Sequence, residues 1–166
     1  MKAYQFDVAR LDYPVPNRSF DEIIAAFERT VPAADLARFT QMVATRAPAA
    51  EIDDAVRKMV GEVGFAHFAN LDQEPLVSLL GKRKRMTVYF LGNPVLANTM
   101  FEHRLEIGLY APLRASVFED YSGVTHFTYD RPSSLLEQFK SDDVTAVARM
   151  LDDRMSRLAE LLARAA

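Results

Sequence analysis

The sequence predicts an α+β domain. Stretches with period-two alternation, or rich in β-branched and aromatic residues, recur between amphipathic helical stretches, and Pro, Gly, Asn and Ser fall between them where strand and helix ends need such residues. A chain of 166 residues, 49% hydrophobic and 26% charged, has ordinary globular composition and is long enough to bury one sizeable core. One soluble domain over residues 1–166 is the expectation, without repeats, low-complexity tracts or linkers.

Residues 4–13 alternate well enough to form a strand, with Tyr4, Phe6 and Val8 against Gln5, Asp7 and Ala9, closed by Pro14 and Pro16. Ser19 and Glu22 have the spacing of a capping box ahead of a helix from residue 20 to about 29, striped by Ile23, Ile24 and Phe27. Pro32 and Pro48 bracket a second helical stretch. The spacing of Ile52, Val56, Met59, Val60 and Val63 marks a third, closing at Gly64. Residues 65–71 read as a strand and 75–80 as a short helix stopped by Gly81.

The basic run Lys82, Arg83, Lys84, Arg85 precedes the strongest strand of the chain, residues 86–91, expected in the middle of a sheet. Gly92, Asn93 and Pro94 suit a strand-to-helix turn, with Asn93 as N-cap and Pro94 as the first helical residue of a helix reaching about residue 106. Residues 113–119 and 124–129 form a hairpin across Asp120, Tyr121, Ser122 and Gly123. Ser134 and Glu137 repeat the capping spacing. Ser141 and Asp142 start a long last helix with Val144, Val147, Leu151, Met155, Leu158 and Leu162 along one face.

Several function classes fall away on composition. With no cysteine, the chain has no disulfide, thiolate nucleophile, zinc–cysteine site or iron–sulfur ligand. A net charge of −3 provides no global field for phosphates, so nucleic-acid binding would need a local patch. The first residues lack the apolar run of a signal peptide and no stretch has bilayer-spanning length, so a cytoplasmic protein without membrane contact is expected. Asn17, Arg18, Ser19 matches a glycosylation acceptor but reads as a helix entry. No metal site and no cofactor are expected.

The turn Val88–Tyr89–Phe90–Leu91–Gly92–Asn93–Pro94, followed by Ala97, Asn98, Thr99 and Met100, resembles the signature of the bacterial and archaeal family known as domain of unknown function 302. The same signature continues with Leu109, Tyr110, Ala111, Pro112, Leu113, Arg114, Ala115, Ser116, Val117, Phe118, Glu119 and Asp120. Gly123, then Thr128, Tyr129, Asp130, Arg131 and Pro132, extend it, and the closing Leu162–Ala163–Arg164–Ala165 is similar to the family's usual helix end. The likeness runs over residues 65–132, weakens toward the opening strand and helix, and is interrupted by an inserted helical segment at about 31–50. It implies a two-layer fold, a curved antiparallel sheet with helices on one face, similar in topology to the TATA-binding protein and often homodimeric; it implies no reaction. Where many members have an acidic residue followed by His, this chain has Asp72 and Gln73. Positions some members fill with Cys are Gly92 and Leu113 here, so a thiol function does not carry over.

Candidate functional residues are few, and each has a structural reading. The free amides at the Gly92–Asn93–Pro94 helix start suit a phosphate or carboxylate, although caps serve stability on most helices. His67 and His126 lie in strands. With a hairpin loop of two or four residues, His126 pairs across from Val117 and has Glu119 as a diagonal neighbour on its own face, an arrangement for acid–base work, although strand histidines commonly serve packing. Asn93, Tyr89, Arg114 and Tyr129 are the candidate ligand-binding residues. His103 reads as a solvated helix residue beside Glu102 and Glu106, and the run from Lys82 to Arg85 as a solubilising gatekeeper.

The same register leaves neither sheet face polar. Leu113, Ala115, Val117, Val124 and His126 share one face, and Ser116, Phe118, Phe127 and Tyr129 the other; Met86, Val88 and Phe90 oppose Tyr89 and Leu91 on the strand before. A half-exposed antiparallel sheet normally carries one polar face, and a bare apolar face forgoes about 25 cal/mol per Å². The expected cover is a second copy, an apolar ligand, or the inserted helix. The functional expectation is a homodimeric module that binds a small apolar or weakly anionic ligand or acts by protein contact. The alternative is an acid–base enzyme using a His/Glu pair at the sheet, and a third class is nucleic-acid binding through the basic run.

Overall fold

Strands β1 (Arg10–Val15), β2 (Ala66–Asp72), β3 (Met86–Gly92), β4 (Leu113–Glu119) and β5 (Thr125–Asp130) form one sheet in a computed structural model that describes residues 3–79, 81 and 84–164. The order is β1-β5-β4-β3-β2 with every neighbour antiparallel. The middle strand is β4, and β3, expected inside the sheet, is an interior strand paired with β2 and β4. Helices α1 (Phe20–Thr30) and α7 (Asp142–Ala163) cover one face. Ile23 and Phe27 from α1 and Met155, Leu158 and Leu162 from α7 share a core with Tyr89, Leu91, Val117, Phe127 and Tyr129 from the sheet. Phe27 stacks on Tyr89 with ring centroids 4.1 Å apart, an offset contact that adds to the area the rings bury.

The local signals account for most element ends. The Ser19 capping box forms, with Glu22 N–H donating to Ser19 Oγ at 3.3 Å and Ser19 N–H donating to Glu22 Oε2 at 2.7 Å. Ser141 caps α7, whose buried stripe takes in Ala148 and Ala159 as well as the larger side chains expected, except Val147, which is only partly buried. Between α1 and β2 lie α2 (Leu36–Ala44) and α3 (Ala49–Met59), and α4 (Glu74–Ser78) follows β2. After β3 comes α5 (Pro94–Phe101), and after β5 comes α6 (Pro132–Leu136).

Four expectations need correction. The opening strand lies at Arg10–Val15 and contains Pro14, which a strand at the sheet edge tolerates because its missing N–H leaves no ladder bond unmade. Helix α5 ends at Phe101 and gives way to a 3₁₀ turn at Leu105–Leu109, so His103 sits beyond the helix, its Nε2 3.7 Å from Asp143 Oδ2. Ser134 does not cap a helix. It lies inside α6, accepting from Ala9 N–H at 3.0 Å and donating to the Arg131 carbonyl at 2.7 Å.

The fourth correction concerns the hairpin. Val117 faces Phe127, and His126 faces Phe118. Asp120 N–H bonds the Val124 carbonyl at 2.9 Å and Gly123 lies at φ +88°, so three residues, an odd number, make the turn. A three-residue loop ending in a left-handed glycine is a common hairpin closure, and one residue of slip exchanges the faces of a whole strand. Phe127 and Tyr129 consequently join the core, while His126, Thr128 and Asp130 move to the outer face. There they meet Arg10 and Asp12 of β1, so the outer face is polar across β1 and β5. It stays largely apolar along β3, where Met86 faces Phe118 while Val88 and Phe90 face Ser116 and Arg114.

Gly61 shows how closely the chain approaches itself. A Cβ there would lie 2.0 Å from the Thr30 carbonyl oxygen and 2.7 Å from Pro32 Cδ, whereas one at Gly108 would meet nothing within 4 Å. Gly61→Ala is expected to lower stability by about 1–3 kcal/mol, read as a lower urea midpoint at unchanged slope, with Gly108→Ala close to neutral.

Candidate functional site

The carboxamide of Asn93 sets where α5 begins. Its Oδ1 accepts from Val95 N–H at 3.0 Å and Leu96 N–H at 3.3 Å, and its Nδ2 donates to the Gly64 carbonyl at 3.1 Å. That carbonyl also accepts from Arg154 Nη1 at 3.0 Å. The amides that the sequence suggested for a phosphate or carboxylate are thus occupied by the cap itself.

Helix α5 forms one side of a cavity of about 540 Å³, within the range of small-molecule sites. Phe39 and Val43 of α2 and Ile52 and Val56 of α3 line the opposite side, with Tyr110, Pro112 and Leu113 at the strand end and Ile107, Leu136 and Leu151 behind. The Ala111–Pro112 peptide bond is cis. Gly92–Asn93–Pro94 and Tyr110–Leu113, separate in sequence, meet at this cavity. Gly92 and Leu113 both line it, which leaves its wall there without a reactive group. Sequence reasoning does not single out Phe39, Val43 and Asp53, and it reads Ile52 only as part of a helix stripe. The available signal was the spacing Ala49, Ile52, Asp53, Val56, a single helix face that reads as core when no cavity is known.

Of the sequence candidates, only Asn93 lines the cavity. Tyr89 is buried and donates to Glu28 Oε1 at 3.1 Å; burial raises its pKa, and the neighbouring Glu28 charge adds to this. Tyr129 is also buried, its hydroxyl 3.4 Å from that of Tyr13, and burial again raises its pKa. Arg114 is exposed on the outer face opposite Phe90. His67 places Nδ1 2.8 Å from the Val31 carbonyl, an acceptor only, so Nδ1 is the donor; its ring meets Tyr89 edge-on at 5.5 Å.

His126 and Glu119 do not come together. Glu119 pairs with Thr125 on the helix-covered face, where it contributes to the field at Arg85. His126, on the outer face, stacks on Phe118 at 5.0 Å and lies between two other carboxylates, with Nδ1 2.9 Å from Asp12 Oδ2 and Nε2 3.4 Å from Asp120 Oδ2. Both ring nitrogens face acceptors, which leaves neither directed at a substrate. Among the described residues no group of three or more His, Asp or Glu is arranged to hold a metal ion.

The basic run is partly accounted for within the fold. Lys84 Nζ donates to the Asp120 carbonyl at 2.6 Å, and Arg85 pairs with Asp21 at 2.5 Å while lying 4.3 Å over the Phe20 ring. Lys82 and Arg83 lie outside the described residues. Among the described residues, no helix is long and apolar enough to cross a membrane.

Residues 41–162 match the family described as domain of unknown function DUF302. The chain belongs to the DUF302 family. The DUF302 match reaches past the likeness read from the sequence, taking in α3 and most of α7. A solved structure described as an uncharacterized conserved DUF302 protein from Bacillus stearothermophilus superposes with a TM-score of 0.64 at 14% identity, covering 92% of this chain and 96% of that one. At that identity the likeness concerns the DUF302 fold alone. No curated protein matches the chain.

Two groups described above give measurable expectations. Asn93→Ala removes a cap worth about 1 kcal/mol and leaves the Gly64 carbonyl with Arg154 alone, so a loss of about 1–2 kcal/mol is expected in urea denaturation. The Asp120 pKa is lowered from 3.8 to about 2, first by the Ser122 hydroxyl and then by the Val124 N–H. The folded value lies below the unfolded one, so the stability this carboxylate contributes is complete above about pH 4 and disappears as pH falls toward 2. Asp120→Asn is expected to flatten the acid limb of the stability–pH curve in that window.

Proposed function

We propose that this protein is a non-enzymatic module that holds a small apolar molecule in the cavity between α5 and the α2–α3 pair. The cavity carries this reading: its wall is mostly aliphatic and aromatic, and it has room for roughly 18 non-hydrogen atoms at ~30 Å³ for each water-sized group. The occupied amides of α5 favour an apolar ligand over an anionic one. The two engaged nitrogens of His126 speak against acid–base catalysis at the outer face. N-phenyl-1-naphthylamine, a fluorescent apolar probe of matching size, is expected to bind with a blue-shifted emission. Ala97→Trp, which fills the cavity from α5, should weaken that binding at least tenfold; a probe that binds wild type and variant alike would overturn this reading.

We propose further that the module is a homodimer. The support is the apolar part of the outer face, where Met86, Val88, Phe90 and Phe118 stay outside the buried core and Leu71 on the adjoining strand is 51% exposed, a patch that isolated subunits seldom leave bare. Light scattering after size exclusion is expected to give twice the chain mass at micromolar concentration, and Val88→Glu to give a monomer. A wild-type monomer at that concentration would remove the proposal.

A further inference from the structure

Among the described residues, the cavity lining has one charge-bearing side chain, which the cavity's construction does not require. Ala49, Ile52, Asp53 and Val56 occupy successive turns on one face of α3, and all four line the cavity. An amphipathic helix fills such a stripe with apolar residues, and Asp53 breaks it. The next residue shows the ordinary alternative: Asp54 is exposed to solvent and pairs with Lys58 at 2.7 Å, one turn along the same helix.

Asp53 is half-buried and, among the described residues, has no hydrogen-bond or ion-pair partner. Among the described residues it is the one acidic side chain in the lining, and none of them places a Lys, Arg or His there with it. Of the other polar groups there, Tyr110 packs its ring against Phe6 and Phe139 and carries a neutral hydroxyl, and the rest have structural partners or face solvent. Asn93 caps α5, the Thr99 hydroxyl donates to the Leu96 carbonyl at 2.8 Å, and Asn98 is exposed.

A carboxylate against an apolar wall is a poor neighbour for a hydrocarbon alone and a repulsive one for an anion. It is complementary to a cation or a strong hydrogen-bond donor at one end of an apolar body. Resting on the proposal that the cavity binds ligand, we infer that its ligand class is the amphiphilic amine, with a hydrocarbon or aromatic body along α5 and an ammonium group at Asp53. This selects against the fatty acid of the same length.

Three ten-carbon compounds that differ only in head group test this: n-decylammonium, 1-decanol and decanoate, each titrated against protein loaded with N-phenyl-1-naphthylamine at neutral pH. Decylammonium is expected to displace the probe at a concentration at least tenfold below decanoate, with decanol between them. In Asp53→Asn the amine's advantage should fall to within threefold while probe affinity is kept, and Asp53→Lys should reverse the order. Asp54→Asn removes the same charge one residue away and should leave the preference intact. Decanoate displacing as well as the amine in wild type, or a preference that survives Asp53→Asn, would overturn the amine assignment and leave the cavity reading in place. Failure of the probe to bind at all would overturn both.

Discussion

Three donors converge on the carboxylate of Asp120, the Ser122 N–H, the Ser122 hydroxyl and the Val124 N–H, all between 2.7 and 2.9 Å. They hold the β4–β5 connection to three residues with Gly123 in the left-handed region. From that count follows the register of the central hairpin, and from the register follows which side chains are buried. Phe127 and Tyr129 pack beneath α1 and α7 because the turn is odd. With one residue more or fewer, His126 and Thr128 would point into the core, where their polar groups would need partners that an apolar interior lacks.

Much of the fold was legible because its signals are local. The Ser19–Glu22 pair, the Asn93–Pro94 helix start, Ser141 and the stripe of α7 each satisfy a backbone or burial requirement within a few residues of themselves. The hairpin residues were legible too, but loop parity was not. Asp120, Tyr121, Ser122 and Gly123 are compatible with several turn lengths, and the choice depends on a hydrogen-bond pattern that composition does not specify. The supposed second greasy face was a product of that parity. The slip left it apolar only on the β3 side, with a charged and hydroxylic half along β5 and β1.

The cavity was least legible because it is assembled from segments far apart in the chain. The helix start at Asn93 and the Tyr110–Leu113 stretch were marked by resemblance, and the structure brings them to one place. Of their counterpart wall, the α3 part reads in the sequence as an ordinary apolar helix face and the α2 part only as a helical stretch between prolines. Periodicity identifies a side that is turned away from water, and it does not distinguish a packed neighbour from an empty volume. His126 illustrates the converse. A histidine among carboxylates suggests chemistry in sequence, yet here the ring is clamped flat on Phe118 between Asp12 and Asp120.

The Gly64 carbonyl is a junction between parts of the molecule that otherwise have separate tasks. One lone pair receives the side chain that starts α5, and the other receives Arg154 from the middle of α7. The first turn of the cavity helix and the long helix α7, which already lie in contact, are thus also joined through this one oxygen. An outward tilt of α5 to admit a bulkier guest would stretch or re-aim one of these two bonds, so a change in cavity width is felt at Arg154 on α7, the helix that also presents Leu151 to the cavity.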